Sequence, residues 1–204
     1  MIREGEAMKQ GTVTPAFPSD TLGRTASIAL ALLAAQAVAL HLLGMPTICR
    51  CGTVAVWYGN PSGPETSQQL TDWYTYTHVL HGFAFYALLH LAAPRLPVMQ
   101  RLLLAIGIEV AWEIFENSPW VIERYRRGGL AQGYTGDSIV NSLSDTIAAT
   151  VGFVLEWRLP VAAVIGLAIG AELLAIALIR DGLLLNVVQL LFPSEALSAW
   201  QARR

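Results

Sequence analysis

The chain has 204 residues, of which 54% are hydrophobic and only 14% charged, with a net charge of −2 and a mean hydropathy of +0.48. Soluble domains carry ~25% charged residues, so the apolar surplus is too large for one soluble core. The weak negative charge gives no reason to expect a nucleic-acid partner. The long apolar stretches alternate with short polar ones, which is the pattern of a polytopic membrane protein.

Residues 1–25 are polar, with Gly11, Pro15 and Pro18 and no apolar period, and read as a flexible tail. Residues 26–204 read as a single transmembrane domain, an all-α bundle of about five membrane-spanning helices. The first span is expected over residues 26–44, interrupted only by Gln36 and His41. It is long for a cleaved signal peptide and lacks a small-x-small site. A loop over residues 45–72 carries Cys49 and Cys51. These are either free thiols, a local disulfide, or two ligands of a soft-metal site.

The second span, residues 73–92, opens with the interfacial aromatics Trp73, Tyr74 and Tyr76. A turn with Pro94 and Pro97 leads to the third span, residues 99–117, which Pro119 ends. Residues 118–136 form a polar loop with Arg124, Arg126, Arg127, Gly128 and Gly129. The fourth span covers residues 137–157 and the fifth residues 161–179. The apolar run 183–192 is too short to cross ~30 Å of hydrocarbon and is expected to lie at the interface. Arg3, Lys9 and Arg24 before the first span favour a cytoplasmic N-terminus, although Arg124, Arg126 and Arg127 then fall outside. The cysteine loop would face the outside or periplasm.

Ionisable residues inside spans cost at least ~2.5–3.5 kcal/mol each on insertion scales, so they face partners or a water-filled cavity. Three consecutive spans carry such residues. The second has His78 and His81 on one helical face, and His90 lower down. In the third, Glu109, Glu113 and Glu116 form one stripe, followed by Asn117. Asp137, Asn141 and Asp145 recur every four residues in the fourth. Alternating topology brings His78, His81, Glu113, Glu116, Asp137 and Asn141 to the same half of the bilayer. Glu109 and Asp145 lie deeper, and Arg124 and Arg126 stand at the mouth.

A few interhelical polar pairs would be structural glue at ~0.6 kcal/mol each; so many converging groups point to a site. His41 and His90 read as lone polar residues near span ends. Glu172, alone in the fifth span, has either an unseen partner or a place in the cluster. Trp112 and Phe115 read as packing residues, and Gly82 and Gly107 as points of close helix approach.

The runs His78-Val-Leu-His81-Gly, Glu109-Val-Ala-Trp-Glu113-Ile-Phe-Glu116-Asn117, Glu123-Arg-Tyr-Arg126 and Gly136-Asp-Ser-Ile-Val-Asn141-Ser-Leu-Ser-Asp145 resemble an uncharacterised family of small bacterial multi-pass inner-membrane proteins. Cys49-Arg-Cys51-Gly and the stretch from Arg180-Asp181 to Pro193 share that resemblance. It implies a bacterial inner-membrane location and a multi-pass architecture, without an activity. In motif pattern alone the chain is also similar to VanZ-like proteins, which are linked with glycopeptide-antibiotic tolerance.

Two classes of function remain. One is an intramembrane enzyme acting on a lipid or lipid-linked substrate. Its candidate catalytic residues are His78, His81, Glu109, Glu113, Glu116, Asp137, Asn141 and Asp145, and a divalent metal ion could be held by His78, His81, Glu113, Glu116 and Asp137. Arg124 and Arg126 would hold an anionic head group. No nucleophile elbow, P-loop or HExxH run occurs. The other class is a proton- or cation-coupled transporter or small-molecule binding protein, with a scaffold subunit of a membrane complex as a further alternative.

Overall fold

The computed structural model describes residues 19–127 and 133–202; residues 1–18 of the tail expected over 1–25, Gly128 and Gly129 lie outside them, while residues 19–25 are helical, which corrects that part of the expectation. Among the described residues there are eight helices and no strand: α1 (Ser19–Leu42), α2 (Thr75–Ala92), α3 (Val98–Glu116), α4 (Pro119–Arg126), α5 (Ile139–Arg158), α6 (Val161–Ile179), α7 (Leu183–Leu191) and α8 (Glu195–Gln201).

Three of these, Asp20–Leu42, Ile139–Arg158 and Val161–Ile179, are long and apolar enough to cross a membrane. That is fewer than the five spans expected. α2 and α3 have the length, at 18 and 19 residues. Their apolar character is diluted by three histidines in α2 and by Arg101, Glu109, Glu113 and Glu116 in α3. Apolar side chains such as Leu30 and Val38 of α1 and Ile165, Ile169 and Leu173 of α6 are exposed. An outward apolar surface of this kind suits a lipid solvent rather than water.

α2 and α5 form the central pair, with α3 against both and against α1. At two points the contact between α2 and α5 is backbone against backbone. A Cβ on Gly82 would collide with the Ala149 carbonyl and come 2.6 Å from the Phe153 nitrogen, and a Cβ on Gly152 would collide with the Val79 carbonyl. Two glycines facing across the seam are what allow so close an approach. Gly107, by contrast, faces open space, so the expectation that it brings helices together is corrected. Phe153, beside these glycines, is fully buried with Leu89 and Ala105.

The turns also depart from expectation. The polar loop predicted over residues 118–136 contains a helix, because Pro119 starts α4 as well as ending α3. The Ser118 side chain accepts from the Val121 amide, and proline fits the first turn, where its missing N–H is no loss. α5 starts at Ile139, capped by Ser138, so Asp137 precedes the helix and the four-residue stripe holds only for Asn141 and Asp145. The loop after α1 folds back over the start of α5. The amides of Ser138, Ile139 and Val140 donate to the carbonyls of Ser67, Pro46 and Thr47. Within that loop Cys49 and Cys51 are joined in a disulfide with a Cα–Cα distance of 5.1 Å, so in this form neither sulfur is available as a thiolate ligand.

Candidate functional site

Helical spacing turns the polar faces of α2, α3 and α5 toward one another, and the glycine seam sets how closely they meet. His78 Nδ1 lies 2.6 Å from Glu109 Oε1 and 3.2 Å from Glu113 Oε1. His81 Nδ1 lies 3.2 Å from Glu109 Oε2, so Glu109 bridges the two imidazoles. From α5, Asp145 Oδ2 approaches His78 Nε2 to 3.8 Å, beyond hydrogen-bond range. Glu109 and Glu113 are fully buried and Glu116 half-buried. The single stripe predicted for the glutamates therefore runs from the interior outward.

Behind this group lies a second layer. The Ser142 hydroxyl donates to Glu113 Oε2 at 2.5 Å. Gln36 Nε2 donates to that hydroxyl at 2.8 Å, while Gln36 Oε1 accepts from Thr146 at 2.9 Å. Gln36 is fully buried and ties α1 to the cluster. Its signal was present in the sequence, since a lone amide in an apolar span needs a partner. Ser142 gave no such signal, because a serine can satisfy its own helix backbone.

Asp137 is held separately. Asn117 Nδ2 donates to its Oδ2 at 2.6 Å, and the Asp137 amide returns a bond to Asn117 Oδ1 at 2.7 Å. Tyr134 donates to its Oδ1 at 2.9 Å. Gly136, at φ +91° and with Asn117 Oδ1 3.0 Å from where a Cβ would stand, lets the chain turn Asp137 into this clamp. Burial raises the Asp137 carboxyl from 3.8 to about 6, although Asn117 and Tyr134 oppose the shift. Burial, reinforced by the Glu116 carboxylate, likewise pushes the Tyr125 phenol well above its ordinary value.

These groups face a cavity of about 310 Å³. His78, His81, Glu116, Asp137 and Asp145 line its polar side, and Trp112, Tyr125 and Tyr134 its aromatic side. Phe85, Ile108 and one face of α7, from Leu183 to Leu190, add an apolar strip, and Tyr74, Thr77, Thr135 and the loop from Pro61 to Ser67 line the rest. Of the buried carboxylate oxygens, Asp145 Oδ1 has no hydrogen-bond partner, and Glu113 Oε1 has the ion-pair approach of His78 Nδ1 at 3.2 Å but no hydrogen bond. Ligand atoms of His78, His81 and Glu109, or of His78, Glu113 and Glu116, lie within 4.8 Å of one another. Asp137 belongs to neither set.

Other predicted residues lie elsewhere. Asn141 Nδ2 donates to the Gln69 carbonyl and so fastens the loop. Arg124 Nε donates to the Leu190 carbonyl at 2.9 Å, and Arg126 is exposed; neither lines the cavity. Glu172 accepts from the Leu183 and Leu184 amides at 2.8 and 3.2 Å, which answers its sequence ambiguity: it caps α7. His90 accepts from Arg101 at 2.9 Å, and His41 is exposed.

The family model described as "Protein of unknown function (DUF2585)" matches residues 40–203. A UPF0314 protein of Brucella anthropi is 46% identical over 180 residues, covering 88% of this chain and 91% of the relative. One from Rhizobium meliloti is 50% identical over 173 residues, covering 85% and 88%. One from Paracoccus denitrificans is 52% identical over 160 residues, covering 78% and 83%. No solved structure matches the chain. A match extending from the end of α1 through α8, with relatives aligned over most of their own length, makes this chain a member of the DUF2585 family of bacterial proteins.

Proposed function

We propose that the chain is a five-span bacterial inner-membrane enzyme that holds a divalent metal ion on His78, His81 and Glu109 and acts by hydrolysis or transfer on a lipid-type substrate. The observation that carries this reading is the convergence of two imidazoles and a carboxylate, within 4.8 Å of one another, beside a cavity into which Asp145 turns a carboxylate with an unpartnered oxygen. A donor set of imidazole and carboxylate suits zinc, iron or manganese. A metal bound there would lower the pKa of a bound water and polarise a substrate oxygen. Glu113, braced by Ser142 and Gln36, stands where it can hold a proton beside His78, and Asp145 can orient a water across the 3.8 Å gap.

α2 and α3 serve as the two further spans in this reading, their polar faces turned inward and shielded from lipid. The N-terminus is cytoplasmic. The likeness to VanZ-like proteins stays a likeness of motif pattern, and antibiotic tolerance is not transferred from it.

Elemental analysis of the detergent-purified chain after metal-replete expression tests the proposal. About one equivalent of divalent metal is expected, with most of it lost in His78→Ala and in Glu109→Gln. A metal-free wild type, or an unchanged content in both variants, removes the metal enzyme. The polar chain running from His78 through Glu113 and Ser142 to Gln36 favours a second reading, proton coupling. Proton-coupled uptake by liposomes holding metal-free protein would select it.

A further inference from the structure

The cavity has a chemical bias that reaches beyond the proposed metal ligands. Five carboxyl groups, Glu109, Glu113, Glu116, Asp137 and Asp145, line or directly adjoin it, against the two imidazoles of His78 and His81. Among the described residues no lysine or arginine lines it. Residues 128–132, Gly-Gly-Leu-Ala-Gln, carry no cation either. Of the arginines beside Tyr125, Arg124 spends its Nε on the Leu190 carbonyl and Arg126 is exposed; neither lines the cavity. A phosphate or carboxylate would therefore enter a chamber of its own sign, without the guanidinium fork that recognises such groups.

The walls supply what a cation needs instead. Tyr125 and Tyr134 meet edge to face at 5.7 Å, and Trp112 stands on the same cavity. Aromatic faces attract an ammonium through the ring quadrupole, most strongly where it is desolvated. Glu116 and Asp137 line the same chamber, and Asp145 is 95% buried by its relative exposure of 5%, with Oδ1 unpartnered. The rest of the wall is mixed: Ser62, Thr66, Ser67, Thr77 and Asn186 are polar, and an apolar strip runs beside them. Phe85, Ile108, Leu183, Val187 and Leu190 give a surface for hydrocarbon. A volume of about 310 Å³ accepts a head group and the first methylenes of a chain, at the lower end of ligand pockets.

We propose that this cavity binds an ammonium group carried on an apolar tail, the cation lodged between Glu116, Asp137 and the faces of Tyr125, Tyr134 and Trp112, with the tail along α7. The assignment rests on the cavity being the substrate chamber and is independent of the metal. Even with a divalent ion on His78, His81 and Glu109, the outer carboxyls still favour a cation.

The test is calorimetric titration of the full chain in nanodiscs, with empty discs subtracted. The probes are water-soluble hexyltrimethylammonium, hexyl phosphate and hexanol. Saturable binding of the ammonium is expected, at least about ten-fold tighter than either other probe. Glu116→Gln should weaken it about ten-fold. Tyr125→Leu should weaken it too, whereas Tyr125→Phe, which keeps the ring, should not. Should Glu116→Gln fail to fold, the two Tyr125 variants decide. Equal binding of all three probes, a preference for the phosphate, or indifference of binding to both Glu116→Gln and Tyr125→Leu overturns the proposal. Hexylphosphocholine separates the sources: tighter binding than the simple ammonium assigns the cation to a phospholipid head group, weaker binding to an alkylamine. Metal content measured on the same sample keeps the two claims apart. Metal without cation preference defeats this inference alone, and cation preference without metal defeats only the metal enzyme.

Discussion

Asp137 illustrates how much of this site is made by single side chains outside regular structure. Its carboxyl is buried and clamped by neutral donors, Asn117 and Tyr134, and burial moves it from 3.8 up to about 6. The folded protein therefore holds the proton more tightly than the unfolded chain does. As pH rises from about 4 to about 6 the unfolded chain ionises first, and this residue's contribution to stability falls across that window. Asp137→Asn should flatten the dependence of Tm on pH between those values. Unchanged slopes in variant and parent would show that the carboxyl titrates normally. Asp137 is legible in the sequence as a site residue but not as a residue before the helix. Periodicity put it on a helix with Asn141 and Asp145, whereas Ser138 caps that helix and leaves Asp137 in the preceding turn. Spacing reports a helical face only inside a helix, and boundaries are its weakest output.

Among the elements, the seam between α2 and α5 does most to assemble the site, because His78 and His81 sit on one of these helices and Asp145 on the other. Gly82→Ala must push a methyl group into the Ala149 carbonyl, where backbone on both sides has no room to yield. A loss of ~1–3 kcal/mol is expected, the range for overpacking. Gly107→Ala meets nothing within 4 Å and should be neutral or stabilising by up to ~1 kcal/mol, since alanine is the better helix former. Thermal unfolding of the two variants in one detergent checks the contrast, and equal effects would mean the seam is not tightly packed. α7 offers a second case. It is held at its start by Glu172 and near its end by Arg124, and it forms one wall of the cavity. Glu172→Ala should cost ~1 kcal/mol, as the loss of a helix cap does. Hydrogen exchange should quicken in residues 183–191 while α2 and α5 keep their protection. Uniform or absent change would remove Glu172 as the anchor.

For the whole molecule the testable property is its placement in the membrane. The proposed cytoplasmic N-terminus, with α1 as the first span, predicts that the disulfide loop lies on the far side. After mild reduction of intact cells, a membrane-impermeant thiol reagent should label Cys51, which is exposed, ahead of Cys49, which is buried. Labelling only after lysis would reverse the orientation or return the loop to the interior. The exposed apolar faces of α1 and α6 are consistent with lipid on both flanks of the central helices.

Composition and the order of apolar segments determined, without coordinates, that the described chain is helical, and the 3.6-residue period put His78 with His81 and Glu109 with Glu113 on common faces. These are local properties, set by spacing along one helix. How near the faces come was not local. It depends on two glycines in different helices, and only one of them, Gly82, stood out in the sequence. The partner of Gln36 and the roles of Ser142 and Asn117 were hidden, because a hydrogen bond between different elements, as from Gln36 to Ser142 or from Asn117 to Asp137, leaves no period to read. Arg124 shows the converse. Charge alone suggested an anion site, and the fold directed its side chain to a carbonyl of α7. Sequence determined which polar residues an apolar helix face would not hold unpaired; tertiary packing decided which partners they found, because partner choice depends on distances between helices that no single helix encodes.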